Sequence, residues 1–315
     1  LLSVSLLSLM AVAPTVWTLI GLLLIGGLGS AAFHPAGGSI ARAVGGNGDL
    51  AVGLFSAGGM LGLALGPVIV LAVASTLGLG ATPLLMAPGI VLGLILNLGA
   101  PPRVPATRRA RVGLFDRRLV LGPVGLLALA GTFMEITFVT FTSALPLWLV
   151  EHRDVGRDSA LLAWTLTAFY LSAAVGGVAT GALGSWVERR HLVVGTMILT
   201  PVPLFAVFVL DSGGAPYFLA VALAGALTNA AFPLLVVSAQ DLAPHAVGTA
   251  SGMLMGLPVG AAGLLYVGIG WLQERIGMGA AMGASYLFLI PAAILSYAVL
   301  TKHHVGSRVR HLNHS

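Results

Sequence analysis

The sequence contains no cysteine, which excludes disulfides and thiolate metal sites. It is also poor in charge: Asp, Glu, Lys and Arg make up 8% of its 315 residues, against roughly 25% in a soluble domain. It holds no Walker phosphate loop, so ATP is not expected to drive it. It holds no HExxH, GxSxG or paired-carboxylate pattern either, so no enzymatic activity is expected. Neither a cofactor nor a metal is expected. The His-rich tail lacks ligand spacing and reads as solvated. The chain opens on Leu1 without a Met or a signal-peptide pattern.

What the sequence has is apolar. Hydrophobic residues make up 57% of it, and its mean hydropathy is +1.01. Many runs reach the roughly 20 residues that a helix needs to cross a bilayer. The 43 glycines and 17 prolines fit that setting, because neighbouring helices satisfy a broken backbone in membranes. The expected class is an all-α, multi-pass membrane protein surrounded by lipid. The net charge of +5 does not point to nucleic acid, because the basic residues lie between the apolar runs.

Taken in order, residues 1–12 read as the end of a helix. Spans follow at 15–43, 50–74, 84–99, 119–149, 160–183, 192–210, 215–239, 248–272 and 280–300, ten in all with the first partial. The stretch 101–118, PPRVPATRRARVGLFDRR, is the one long polar segment between spans. It reads as a linker between an N-terminal half (1–100) and a C-terminal half (119–300), with a basic tail over 301–315. Alternating sides from a cytoplasmic linker puts Arg42, the six linker arginines, Arg189, Arg190, Lys302, Arg308 and Arg310 inside. Only Arg153, Arg157 and Arg275 fall outside. That asymmetry orients the chain with its linker and C-terminus in the cytoplasm. Trp148, Trp164, Trp186 and Trp271 lie near span ends and read as interfacial anchors.

Two short segments recur. Ala31-Ala32-Phe33 returns as Ala230-Ala231-Phe232, 199 residues on, and AVGLFS at 51–56 returns as AVGTAS at 246–251, 195 residues on. Each pair joins the end of one helix to the start of the next, as expected of a parallel duplication. Carried back from Leu119, the repeat places about two and a half helices before Leu1. The chain therefore reads as N-terminally truncated, and inactivity of the chain as it stands is one further reading beside transport.

Residues 26–67 hold the most specific pattern: GGLGSAAFHPAGGSIARAVGGNGDLAVGLFSAGGMLGLALGP. Gly58, Gly62 and Gly66 share one helix face, where small residues permit close approach of another helix, and Pro67 favours a kink. This GxxxGxxxGP resembles the fifth-helix motif of antiporters in the major facilitator superfamily. The preceding GLGSAAFHPAGGSIAR resembles the fourth helix of the fosmidomycin-resistance branch, although Ala36 stands where an acidic residue is usual there. GALGSWVERR at 181–190 is similar to that superfamily's G-x-L-x-D-R-x-G-R loop, with Ser185 at the Asp position. The resemblance implies a twelve-helix fold of two pseudo-repeat halves, of which ten helices are present. It implies a monomer in the bacterial cytoplasmic membrane that exports a small molecule or drug, conferring antibiotic resistance, by proton antiport through alternating access. Uptake of a metabolite and a non-transport role, as an intramembrane enzyme or structural partner, are the other readings.

Glu135 lies mid-span among apolar residues. A charge there costs roughly 2.5–3.5 kcal/mol on insertion scales, so it faces a cavity or a partner. It serves as a proton-coupling or substrate carboxyl, or it is buried for packing. Thr132, Thr142 and Ser143 fall on the same helix arc. His34, beside Pro35, is a proton or substrate site or a hydrogen-bonded structural residue. Asn229 contacts substrate or makes an interhelical hydrogen bond. The resemblance implies that His34, Glu135, Thr228 and Asn229 converge on a central cavity. Arg42, Asp49, Asp241 and Arg189 flank inward-facing loops and read as gating or salt-bridge residues.

Overall fold

The computed structural model describes residues 1–44, 46–99, 117–157 and 159–312; for Leu71 and residues 303–312 it describes the backbone alone. The 101–118 linker thus lies almost wholly outside the described residues. The helices, in order, are α1 (Leu2–Ser8), α2 (Val16–Val44), α3 (Gly48–Leu77), α4 (Met86–Gly99), α5 (Arg117–Val120), α6 (Pro123–His152) and α7 (Ala160–Leu183). They continue as α8 (Arg189–Leu199), α9 (Pro201–Val209), α10 (Ala215–Leu242), α11 (Val247–Met255), α12 (Leu257–Ile276), α13 (Met278–Tyr286) and α14 (Leu289–Leu312). Among the described residues, nine helical segments are long and apolar enough to cross a membrane, and the shorter apolar Leu2–Val12 precedes them. This is an all-α, multi-pass integral membrane protein.

Local chemistry sets the boundaries. Asn47 caps α3, its Oδ1 accepting from the amides of Asp49 (3.1 Å) and Leu50 (3.2 Å). Pro123, Pro201, Pro216 and Pro258 sit in first turns, where a missing N–H costs nothing. Gly277 closes α12 at a φ of 87°, which favours glycine. Three expected single spans are broken. The 192–210 run divides at Thr200-Pro201, 248–272 at Gly256, and 280–300 after Tyr286. Each break precedes a proline or sits at a small residue, where the hydrogen-bond ladder is weakest. Pro35 and Pro67, by contrast, lie inside uninterrupted helices.

The core forms around α6 and α10, where Leu127, Phe141, Leu145, Tyr217 and Leu234 are fully buried. Phe141 stacks on Phe169 of α7 with ring centroids 4.4 Å apart. Trp148 is a correction to the sequence reading: only 7% exposed, it packs into this core instead of anchoring an interface. Arg153 lies 5.3 Å over its ring and His152 stacks at 5.7 Å. Trp164, Trp186 and Trp271 are exposed.

Helix α7 lies between α10 and α3, and glycines set both approaches. A Cβ on Gly225 would collide with the Phe169 carbonyl on the α10 side. On the α3 side, a Cβ on Gly53 would fall 2.7 Å from the Gly177 oxygen, and one on Gly181 would fall 2.7 Å from the Asp49 oxygen. The Gly58, Gly62 and Gly66 ladder does not do this. Among the described residues, a Cβ at any of the three meets nothing within 4 Å, and Pro67 is exposed. The packed face of α3 is the neighbouring one, carrying Gly53, Ala57 and Ala64. Spacing defines a face, and here the face with backbone contact is set by the partner's own glycines.

Candidate functional site

The charged residues chosen from the sequence meet at one end of the molecule. Arg42, in the last turn of α2, pairs with Asp241 at the end of α10. Its Nη1 also donates to Gln240 Oε1 at 3.0 Å and to the Val237 carbonyl at 3.1 Å. Arg189, opening α8, donates through Nη1 to Asp241 Oδ2 at 2.5 Å. The same guanidinium holds Asp49 by a hydrogen bond from Nε to Oδ2 at 2.9 Å and an ion contact of Nη2 with Oδ1 at 2.8 Å. Asp49 opens α3 and its side chain is only 6% exposed. One chain of charge thus runs Arg42–Asp241–Arg189–Asp49. It joins α2 and α3, which precede the 101–118 stretch, to α8 and α10, which follow it.

A carboxylate also stands beside GALGSWVERR, although residue 185 is a serine. The Ser185 hydroxyl, in the turn just past α7, donates to the Ala182 carbonyl in the last turn of that helix. The carboxylate comes from α3 instead, with Asp49 Oδ2 lying 2.7 Å from where a Cβ on Gly184 would be.

A hydrogen-bonded seam continues inward from the charges. Gln240 Nε2 donates to Ser251 Oγ at 2.8 Å, and Ser251 Oγ lies 3.2 Å from Ser39 Oγ. Gly38 lets α2 approach Met255, whose Cε would lie 2.6 Å from an added Cβ. Ser39 and Ser251 escaped the sequence reading, because a lone serine in an apolar helix carries no signal about its partner.

Glu135 stands on α6, half-buried. Among the described residues it makes no ion pair. Phe138 and Thr142 follow it on the same helix face. Tyr170 of α7 packs beside that face, its ring 5.9 Å from Phe138. Tyr170 was missed in the sequence because the pairing of α6 with α7 creates the site.

The remaining candidates make their own contacts among the described residues. Thr132 donates to the Ala128 carbonyl at 3.0 Å and Thr228 to the Ala224 carbonyl at 2.6 Å, both buried. Their hydroxyls are therefore spent within their own helices. Asn229 is 4% exposed, and its Nδ2 donates to the Ala173 carbonyl at 2.9 Å and Ser56 Oγ at 3.4 Å. It is an interhelical clasp joining α10, α7 and α3. Ser143 is exposed. His34 is exposed, its ring edge-on to Phe33 and Phe55 at 5.8 and 6.3 Å. A cleft of about 440 Å³ next to it is lined by Leu1, Phe33, Gly93, Leu94, Leu96 and Asn97, apart from Glu135.

Comparison with known proteins agrees with this architecture. The family model described as Major Facilitator Superfamily matches residues 1–257. No curated protein matches in sequence. Among solved structures, the chain is similar to a major facilitator superfamily transporter, FucP, in the outward conformation. They share 16% identity and a TM-score of 0.67, over 95% of this chain and 81% of that one. It is likewise similar to a variant of the E. coli fucose:proton symporter FucP, with 16% identity and a TM-score of 0.68 over the same shares. The chain belongs to the major facilitator superfamily.

Proposed function

We propose that this major facilitator superfamily transporter is a proton-coupled exporter of a small molecule, working by alternating access. The observation that carries the reading is the Arg42–Asp241–Arg189–Asp49 chain, which ties helices from both sides of the linker at one end of the bundle. Half-buried pairs of this kind are strong enough to hold a face shut and few enough to be released by substrate binding. We place that end in the cytoplasm on the distribution of basic residues. The segments 1–100 and 119–300 would then rock against one another about the central site.

Glu135 is the proton carrier in this scheme. It is the acidic side chain that lies away from any span end, and it has no fixed counter-ion among the described residues. Export follows from the resemblance of 26–67 to antiporter and fosmidomycin-resistance motifs. His34, on that resemblance, assists in binding substrate. The second reading is uptake, favoured by the fold's similarity to a fucose:proton symporter.

The test is flux in vesicles carrying a pH dye, with the proton gradient imposed in either direction and a panel of drugs, phosphonates and sugars. Proton movement opposite to the compound supports export, and movement in the same direction supports uptake. Proton coupling that survives Glu135→Gln would overturn the role given to Glu135.

A further inference from the structure

We infer that Gln240 is a positioning residue of the closed end. Its side-chain amide ties the charged layer at Arg42 to the hydroxyl layer of Ser39 and Ser251, so that both layers release α2 in one step. The inference rests on the transport reading above and deepens it, and its test needs no substrate.

The orientation of the amide is the first argument. The two ends of a glutamine amide have nearly the same shape and differ in what they can bond. Arg42 only donates, so the atom 3.0 Å from its Nη1 is the oxygen, Gln240 Oε1. That turns Nε2 towards Ser251 Oγ, at 2.8 Å. Ser251 is free to accept there because its own proton has the Val247 carbonyl at 2.8 Å. A reversed amide would set donor against donor at Arg42.

The second argument is which bonds cross between the halves. Ser39 and Arg42 stand three residues apart on one face of α2, before the linker. Gln240 on α10 and Ser251 on α11 follow the linker. The Gln240–Ser251 bond therefore stays within the second half, and it holds Oε1 in place as an acceptor for Arg42. Arg42 Nη1 also reaches the Val237 carbonyl at 3.1 Å, and Nη2 pairs with Asp241. One turn of α10 thus presents three acceptors to a single guanidinium.

The third is an asymmetry on opening. Ser39 donates to the Pro35 carbonyl at 2.7 Å and Ser251 to the Val247 carbonyl at 2.8 Å, each one turn back in its own helix. Both hydroxyls keep those bonds when the 3.2 Å contact between them parts. Gln240 has no such reserve. It is 1% exposed, and both partners of its amide belong to other helices. Departure of Arg42 strands Oε1 until water enters, and an unpaired buried amide oxygen is a costly state. Gln240, more than the serines, makes a half-open arrangement unfavourable.

The experiment is maleimide kinetics on the full chain in nanodiscs, where the absence of native cysteine permits a single reporter thiol. Met255→Cys puts that thiol on α11, at a buried position against Gly38 of α2. Met197→Cys, in the buried core of the second half, is the control for general loosening. Gln240→Met keeps the side chain's length and removes both hydrogen bonds. It should speed the reaction at Met255→Cys about tenfold or more and leave Met197→Cys unchanged. Ser251→Ala should speed it about threefold in the natural background, and by less than about twofold on top of Gln240→Met, because the two act through one connection. An unchanged rate in Gln240→Met, or equal acceleration at both reporters, overturns the assignment. So does a Ser251→Ala factor that is the same in both backgrounds. Absence of flux with every compound, alongside the expected thiol rates, would sink the transport reading and leave the Gln240 connection standing.

Discussion

Arg189 holds Asp49 by a hydrogen bond of 2.9 Å and an ion contact of 2.8 Å while its remaining nitrogen reaches Asp241 at 2.5 Å. Only a planar guanidinium has the donors for both partners; an ammonium is a single point charge. Arg189→Lys should therefore keep the charge and lose the clamp, removing about 1.5–3 kcal/mol from the closed form. The absence of native cysteine makes this measurable. A thiol introduced as Ser251→Cys, at a fully buried position, should react with a maleimide about tenfold faster or more in the Arg189→Lys background. Equal rates would mean that the charges do not hold this end shut.

The seam beneath the charges gives a second test. Ser39 and Ser251 face each other with hydroxyls 3.2 Å apart. Ser39→Cys with Ser251→Cys should oxidise to a disulfide, arrest transport, and recover on reduction. Full transport by the crosslinked protein would show that α2 and α11 need not separate during the cycle.

The glycines allow a sharp contrast. Gly53→Ala and Gly181→Ala press a methyl onto backbone 2.7 Å away and should cost about 1–3 kcal/mol, read as a lower thermal midpoint in detergent. Gly58→Ala and Gly62→Ala meet open space and should change stability by no more than about 0.5 kcal/mol. The reverse ordering would restore the ladder as the packed face.

These residues also mark how far the sequence could be read. The spans and the charge cluster were legible, because length, apolarity and position at a helix end decide them without reference to a partner. Arg42, Asp49, Arg189 and Asp241 all proved to be in one network. At Gly58, Gly62 and Gly66 the periodicity names a face, and among the described residues nothing occupies it. Tyr170 and Ser39 were invisible because each acquires its meaning from a helix distant in sequence. Trp148 sits near a span end, as interfacial tryptophans do, yet the fold turns it inward beneath Arg153.

Asn229 gives the last prediction, because its two readings differ in what a kinetic experiment sees. A cavity asparagine that touches substrate would, when truncated, raise KM. The clasp in the structure donates to the Ala173 carbonyl and Ser56 and presents no free amide nitrogen bond to a ligand. Removing an interhelical hydrogen bond in a membrane costs about 0.6–1.7 kcal/mol. Asn229→Ala should thus lower the thermal midpoint while KM for transport stays at the wild-type value. Gly177 presses on the same amide, its added Cβ falling 3.0 Å from Asn229 Nδ2. Gly177→Ala should therefore destabilise through the same contact, and the two substitutions together should cost less than their sum. A raised KM with an unchanged midpoint would return Asn229 to the substrate site.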